Sequence, residues 1–170
     1  KGKVYTTKTN PKYNGPKTVL GDILQNGEVT SEFFIDDNDE SKWKYLKGPK
    51  KKIIKSKNGY EFNWSEGKMT FPDELNKPAR TIITSEGGKS PSRTKHIIKS
   101  KEYLRRLTPT ELERLNMFPD NHTELKGISN AKRAFLMGNA MVTGIVEKLG
   151  KFDCVLEPGM SIIIPLIQRV

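Results

Sequence analysis

The chain has 170 residues, 34% of them hydrophobic, a single Cys and a formal net charge of +10. That length allows one ordinary domain or two small lobes, the lone Cys excludes an internal disulfide framework, and no apolar run approaches the roughly 18 residues that span a bilayer. The cationic excess fits a polyanionic partner, since Lys and Arg along a groove displace counterions from phosphates, and the cytoplasm is the default compartment.

The chain opens on Lys1 rather than Met, as expected of a piece of a longer protein. Residues 1–18 are rich in Lys, Thr, Asn, Gly and Pro and read as a loose lead-in. Val19 to Leu24 predicts a short amphipathic helix ending near Asn26-Gly27, and Asp36 to Glu40 reads as an acidic loop. From Trp43 to Ile98 the texture is that of short strands and turns. Lys52 to Lys55 and Tyr60 to Trp64 flank Lys57-Asn58-Gly59, and Asn-Gly between two such runs predicts a hairpin because both residues accept positive φ. Eight lysines (Lys42, Lys44, Lys47, Lys50, Lys51, Lys52, Lys55 and Lys57) fall here with no acid among them. Trp43, Tyr45, Tyr60, Phe62 and Trp64 are interleaved or adjacent, a pattern closer to a nucleic-acid face than to a generic solvated surface.

Thr81 to Thr84 is β-branched throughout and predicts a buried strand; His96 to Ile98 is another candidate strand. Between them Ser85 to Arg93 is a flexible polar loop. A second basic stretch holds Lys89, Arg93, Lys95, Lys99, Lys101, Arg105 and Arg106. After residue 107 the period becomes helical. Thr108-Pro109-Thr110-Glu111 is a helix start with Thr at the N-cap, Pro in the first turn and Glu three residues after the cap. Leu112, Leu115 and Phe118 supply the apolar stripe, and Pro119 is the expected stop. Further helices are expected from Ser129 to about Met137 and from Ala140 to Leu149, the latter closed by Gly150.

Arg105 to Asp120 resembles the ninth of the ten ordered motifs of DNA cytosine-5 methyltransferases: basic residues, Leu-Thr, an acid, Arg-Leu, then an aromatic-Pro-Asp. Asn116-Met117 stands where that family more often has Gln-Gly. Met137 to Val142 is similar to the tenth motif, and Lys77 to Thr84 with the later His96 resembles the end of the target-recognition region. The three lie in the family's order and spacing. The resemblance covers residues 77–150 and implies the carboxy-terminal part of such an enzyme. It implies an α+β fold: a small irregular β-rich target-recognition domain over 19–104 and a brace helix at 105–120. Tenth-motif helices at 129–150 would then return to a Rossmann-like S-adenosylmethionine domain absent from the chain, leaving a tail at 151–170.

In that frame Asn139 and Ala140 are expected near the cofactor, because Gly138 lets a ligand approach and a helix N-terminus presents free N–H groups to a carboxylate. Double-stranded DNA is the expected partner, in a bacterial cytoplasm and on the nucleoid, together with the catalytic domain or a separate catalytic subunit. Arg80 and Arg93 lead the DNA-contacting candidates, since Arg pairs with guanine in bidentate fashion. Lys89, Ser92, Lys95, Lys51 and Lys52 accompany them, with phosphate positioning as the competing role. Structural support is the expected role of Arg114.

The family's Pro-Cys, Glu-Asn-Val, Gln-x-Arg-x-Arg and Phe-x-Gly-x-Gly motifs do not occur, so the chain alone should be inert. Cys154 lies after the tenth motif and reads as a small buried apolar residue. Two alternatives stay open. One is a non-catalytic DNA- or RNA-binding subunit, including the second chain of a split methyltransferase. The other is a metal-dependent nuclease using Asp120 with Glu124 and Lys126, although three residues between the acids are few for a strand-borne site.

Overall fold

In a computed structural model the chain is described over residues 14–153 except residue 102. Residues 1–13 of the expected lead-in, Cys154 and the tail beyond it lie outside the described residues. Helices and two small sheets mix: α1 (Asp37–Lys47), β1 (Lys50–Lys55), β2 (Glu61–Glu66), β3 (Ile97–Ser100), β4 (Tyr103–Arg106), α2 (Pro109–Leu115), α3 (Asn130–Asn139) and α4 (Thr143–Asp153). Short 3-10 turns at Leu20–Ile23 and Ser31–Phe33 precede them, the first where an amphipathic helix is expected.

The acidic run is not a loop. Asp36 accepts a hydrogen bond from the Asn38 amide at 2.9 Å, and Asp37, Asp39 and Glu40 fill the first turn of α1 while Lys44 and Lys47 fill the last. Acids at the positive end and cations at the negative end suit the helix dipole. Only Trp43 and Lys47 are buried on α1, so it lacks the apolar stripe by which helices are read from sequence.

β1 and β2 form the expected antiparallel hairpin, in register from Lys50 opposite Glu66 to Lys55 opposite Glu61. The turn is tighter in its demands than Asn-Gly suggests. Gly59 alone takes positive φ (80°), and the Ser56 amide donates to the Tyr60 carbonyl at 2.7 Å. A type I turn followed by one left-handed Gly is the three-residue form of the hairpin connection.

β3 and β4 pair separately, Ile97 opposite Arg106 through Ser100 opposite Tyr103. Phe34 bridges to Arg105 on the other side of β4, and the Asp73 amide donates to the Ile97 carbonyl at 2.6 Å. With both its edges and faces covered, β3 buries Ile97 and Ile98 completely. The expected boundary between residues 104 and 105 falls inside β4. A continuous core joins Leu20, Ile23, Ile98, Leu107, Leu112, Ala134 and Met137 across it. Burying each of the larger side chains is worth about 1.5–3 kcal/mol.

Thr81 to Thr84 is not a strand: Thr81 and Thr84 are exposed, Ile82 and Ile83 half-buried, and no ladder forms. Its β-branched residues lie on the core edge as an extended segment, with Ile82 packed against the core cluster. Helix α3 lies directly over this segment and the loop after it. A Cβ on Gly138 would sit 2.5 Å from the Ile83 carbonyl carbon, and one on Gly87 would sit 2.6 Å from the Ala134 Cβ.

α2 begins with the expected cap: Thr108 and Glu111 exchange side-chain bonds to each other's amides at 3.3 and 2.9 Å. It ends at Leu115, before Pro119. Met117 adopts φ 61°, and its amide bonds to Arg114 while the Phe118 amide reaches back to Glu113, a left-handed helix stop usually made by Gly. The family's commoner Gly at this position therefore has a conformational reason. The Met117 side chain lies across Gly144 of α4. α4 starts at Thr143, whose hydroxyl donates to the Asn116 and Met117 carbonyls, and it runs through Gly150 instead of stopping there.

Candidate nucleic-acid interface

The segment that resembles the ninth motif, Arg105 to Asp120, holds a buried polar brace. Arg105 holds Glu111 with two parallel bonds of 2.8 and 2.7 Å, and neither side chain is more than 2% exposed. Glu111 also accepts from the Gln25 amide at 3.2 Å, tying the lead of the chain to α2. Arg106 donates to the carbonyls of Gly87 and Glu32 and lies over the Phe33 ring. Arg114 grips Asp120 with both oxygens and donates to the Ile23 and Leu24 carbonyls. Glu113 is buried, and burial alone would raise its pKa. Hydrogen bonds from the Thr123 hydroxyl and amide, with Arg133, outweigh that and hold it below the usual carboxylate value.

Three of the expected DNA-contacting cations face the chain itself. Arg80 forms a bidentate pair with Asp73 and donates to the carbonyls of Thr94 and Lys95. Lys95 is buried and donates to the carbonyls of Gly88 and Ser90; burial lowers its pKa, and neighbouring Arg106 lowers it further. Arg93 is a clamp: it reaches the carbonyls of Leu46, Gly48 and Gly67 and lies 3.3 Å from Glu66. Those four groups sit at the end of α1 and at both feet of the β1–β2 hairpin. Half-buried Ser92 lies 3.3 Å from the Thr94 hydroxyl, and Lys89 is exposed. Below the clamp, Lys47 is buried with its ammonium on the Lys95 carbonyl and 3.6 Å from Asp73; burial lowers its pKa against the pull of that carboxylate. His96 and Glu86 form a second buried pair at 2.9 Å.

The loop from Ser85 to Arg93 is thus tied down through Glu86 and Arg93 and by Lys95, with Lys89 left exposed. What stands open is the hairpin. Every residue from Lys51 to Asn63 is exposed, including Ile53 at 66% and Tyr60 at 69%. Its two acids are internally matched, Glu61 with Lys55 and Glu66 with Lys50. Lys51, Lys52 and Lys57 have no such partner among the described residues. Strand alternation puts Lys51, Ile53, Lys55, Glu61, Asn63 and Ser65 on one face. Asn63 and Ser65 escaped attention in the sequence because only this register places them beside Lys51.

A second exposed region is apolar: Met117, Phe135, Leu136, Met141, Ile145 and Val146 around α3 and α4. Asn139 lies at the carboxyl end of α3, exposed, its amide donating to the Phe135 carbonyl at 3.0 Å, and Ala140 is the residue after it. The expectation of a helix N-terminus at Gly138-Asn139 is therefore corrected. The approach that Gly138 permits is taken by the chain's own backbone, and the nearby helix end offers carbonyls, which do not favour a carboxylate. An open cleft of about 500 Å³ lies alongside, lined in part by Thr81, Asn116, Met117, Ala140 and Val142. Asp120 is occupied by Arg114, and no cluster of three or more metal-ligating side chains occurs among the described residues. No described helix is long and apolar enough to cross a membrane.

The chain is a member of the C-5 cytosine-specific DNA methylases, whose family pattern matches residues 3–152. It is 42% identical over 149 residues, 88% of its length, to Type II methyltransferase M.Sau3AI of Staphylococcus aureus. It covers 35% of that relative, about a third. The Entamoeba histolytica methyltransferase EhMeth shares the fold with a TM-score of 0.54 at 18% identity, over 84% of this chain and 43% of that one.

Proposed function

We propose that the chain is the DNA-recognition and scaffold portion of a DNA cytosine-5 methyltransferase whose catalytic motifs lie on the remainder of the enzyme or on a separate subunit. The observation that carries this is the division of labour around the brace. Arg105 with Glu111 and Glu113 with Arg133 form buried ion pairs inside, while a hairpin with unmatched lysines and an apolar α3–α4 surface stand open on the outside. The hairpin fits a polyanion. The apolar surface fits a Rossmann-like catalytic domain, since exposed apolar patches of this kind mark interfaces.

The whole enzyme would transfer a methyl group from S-adenosylmethionine to cytosine carbon 5, on a base flipped from the duplex. It would act on DNA of the bacterial nucleoid as the methylating arm of a restriction–modification pair, as the relationship to a Type II methyltransferase suggests. The pocket for S-adenosylmethionine would be only partly contributed by this chain, with Ala140 on the rim of the cleft and Asn139 beside it. That donor would bring the methyl group, and Ala140 would line one side of the cleft beside it.

The test is methyl transfer by the complete enzyme from labelled S-adenosylmethionine to duplex oligonucleotides. The expected product is 5-methylcytosine at one short site, with the isolated chain inactive. Label on adenine, or preferential binding of single-stranded RNA over duplex at matched salt, would overturn the proposal.

A further inference from the structure

The β1–β2 hairpin is an anomaly as a piece of folding. A lone two-stranded ribbon is marginal in water and needs packing on one face to persist. Here neither face is covered beyond the feet, yet the ribbon carries Ile53, Ile54, Tyr60 and Phe62 in the open. The feet explain its position. Arg93 ties Leu46, Gly48, Gly67 and Glu66 together, Lys50 donates to the Leu46 carbonyl and pairs with Glu66, and the Met69 amide closes onto the Lys47 carbonyl. A ribbon clamped at its root and bare along its length is a built projection.

Its two faces differ. One carries Lys50, Trp64 and Glu66, each partly covered where it leans toward the body. The other carries Lys51, Ile53, Lys55, Glu61, Asn63 and Ser65, all exposed. Across the middle of the ribbon Lys51, Ile53, Asn63 and Ser65 share a shallow depression with Lys52 and Trp64, which alternate with them along the two strands. These are the group types that read base edges: an amide offering paired donor and acceptor, an ammonium for guanine acceptors, a hydroxyl, and an apolar contact for a thymine methyl. Six-residue strands give a ribbon about 20 Å long, and a two-stranded ribbon fits the major groove.

We propose that the open face of the β1–β2 hairpin is the base-reading element, entering the major groove with Asn63 and Lys51 on base edges, while Arg93 is a positioning residue that sets the angle of entry. This rests on the chain's place in a DNA methyltransferase. Lys52 and Lys57, off that face and unmatched, meet phosphates. The occupant is duplex DNA because the unmatched charge is all of one sign and no acid faces the ribbon without its own partner.

The experiment uses the complete enzyme and a library of duplexes carrying the preferred site and its single-base changes, with methyl transfer measured on each. Asn63→Ala and Lys51→Ala should each relax discrimination at one or two base positions by on the order of 10- to 100-fold, while the thermal midpoint stays unchanged. Lys52→Ala should weaken all sequences alike and reduce the salt slope by about one. Lys126→Ala, an exposed cation away from the ribbon, should leave both measures unchanged. Unaltered discrimination in the Asn63→Ala, Lys51→Ala double variant overturns the hairpin assignment, and so does equal loss on every sequence. If the wild-type enzyme transfers no methyl to cytosine, the failure is that of the proposed function instead.

Discussion

The brace around α2 and the β1–β2 hairpin are both rich in charge, and they use it in opposite ways. In the brace Arg105, Glu111, Glu113 and Arg133 are buried and paired, so their charges hold segments together and are invisible from outside. In the hairpin the acids are matched and the surplus lysines face solvent. Counting cations along the sequence treats the two alike. Burial separates them, because a charge leaves water only when partners replace the lost solvation.

The comparison breaks most readily at its buried end. Arg105→Ala should cost about 3–5 kcal/mol in denaturant unfolding, since it strands the Glu111 carboxylate in the core. An effect under 1 kcal/mol would mean that Arg105 does not brace the fold. Glu113→Gln should cost about 1–3 kcal/mol at neutral pH, leaving Arg133 short of a charged partner. It should also flatten the acid limb of the stability profile. Glu113 has a depressed folded pKa, so its contribution is present above the ordinary carboxylate value and fades as pH falls through the lower folded one. The variant should therefore lose less stability than the wild type over that acid range.

Arg93→Ala sharpens the contrast from the other side. Global unfolding should shift by only about 1 kcal/mol, whereas amide exchange over residues 50–66 should quicken and that over β3 and α2 should not. Smallest is Met117→Gly, expected to stabilise by about 0.5–1 kcal/mol through relief of the left-handed backbone. Loss of stability instead would show that the side chain over Gly144 matters more than the strain.

Local chemistry was readable in the sequence where one signal sufficed. The Thr108-Pro109-Glu111 cap, the hairpin around Gly59 and the Ser129-capped helix are each set by residues within a few positions of one another. α1 was not readable, because its helix rests on charge order and on two buried residues, one of them a Lys. Nor was the fate of Thr81 to Thr84, whose propensity for a strand yields to the helix lying over it. Of the expected site residues, Lys51, Lys52 and Lys89 are open, whereas Arg80, Arg93 and Lys95 are satisfied by carbonyls and carboxylates from 5 to 47 residues away. No window along the chain contains that information.

Gly87 and Gly138 fix the spacing between α3 and the loop that carries the Arg93 clamp: with bare Cα atoms there, backbone rests on backbone. Such a seam has no side chains that could rearrange to absorb a load. A larger side chain at either position would have to push α3 off the segment beneath it, since nothing in the contact can swing aside.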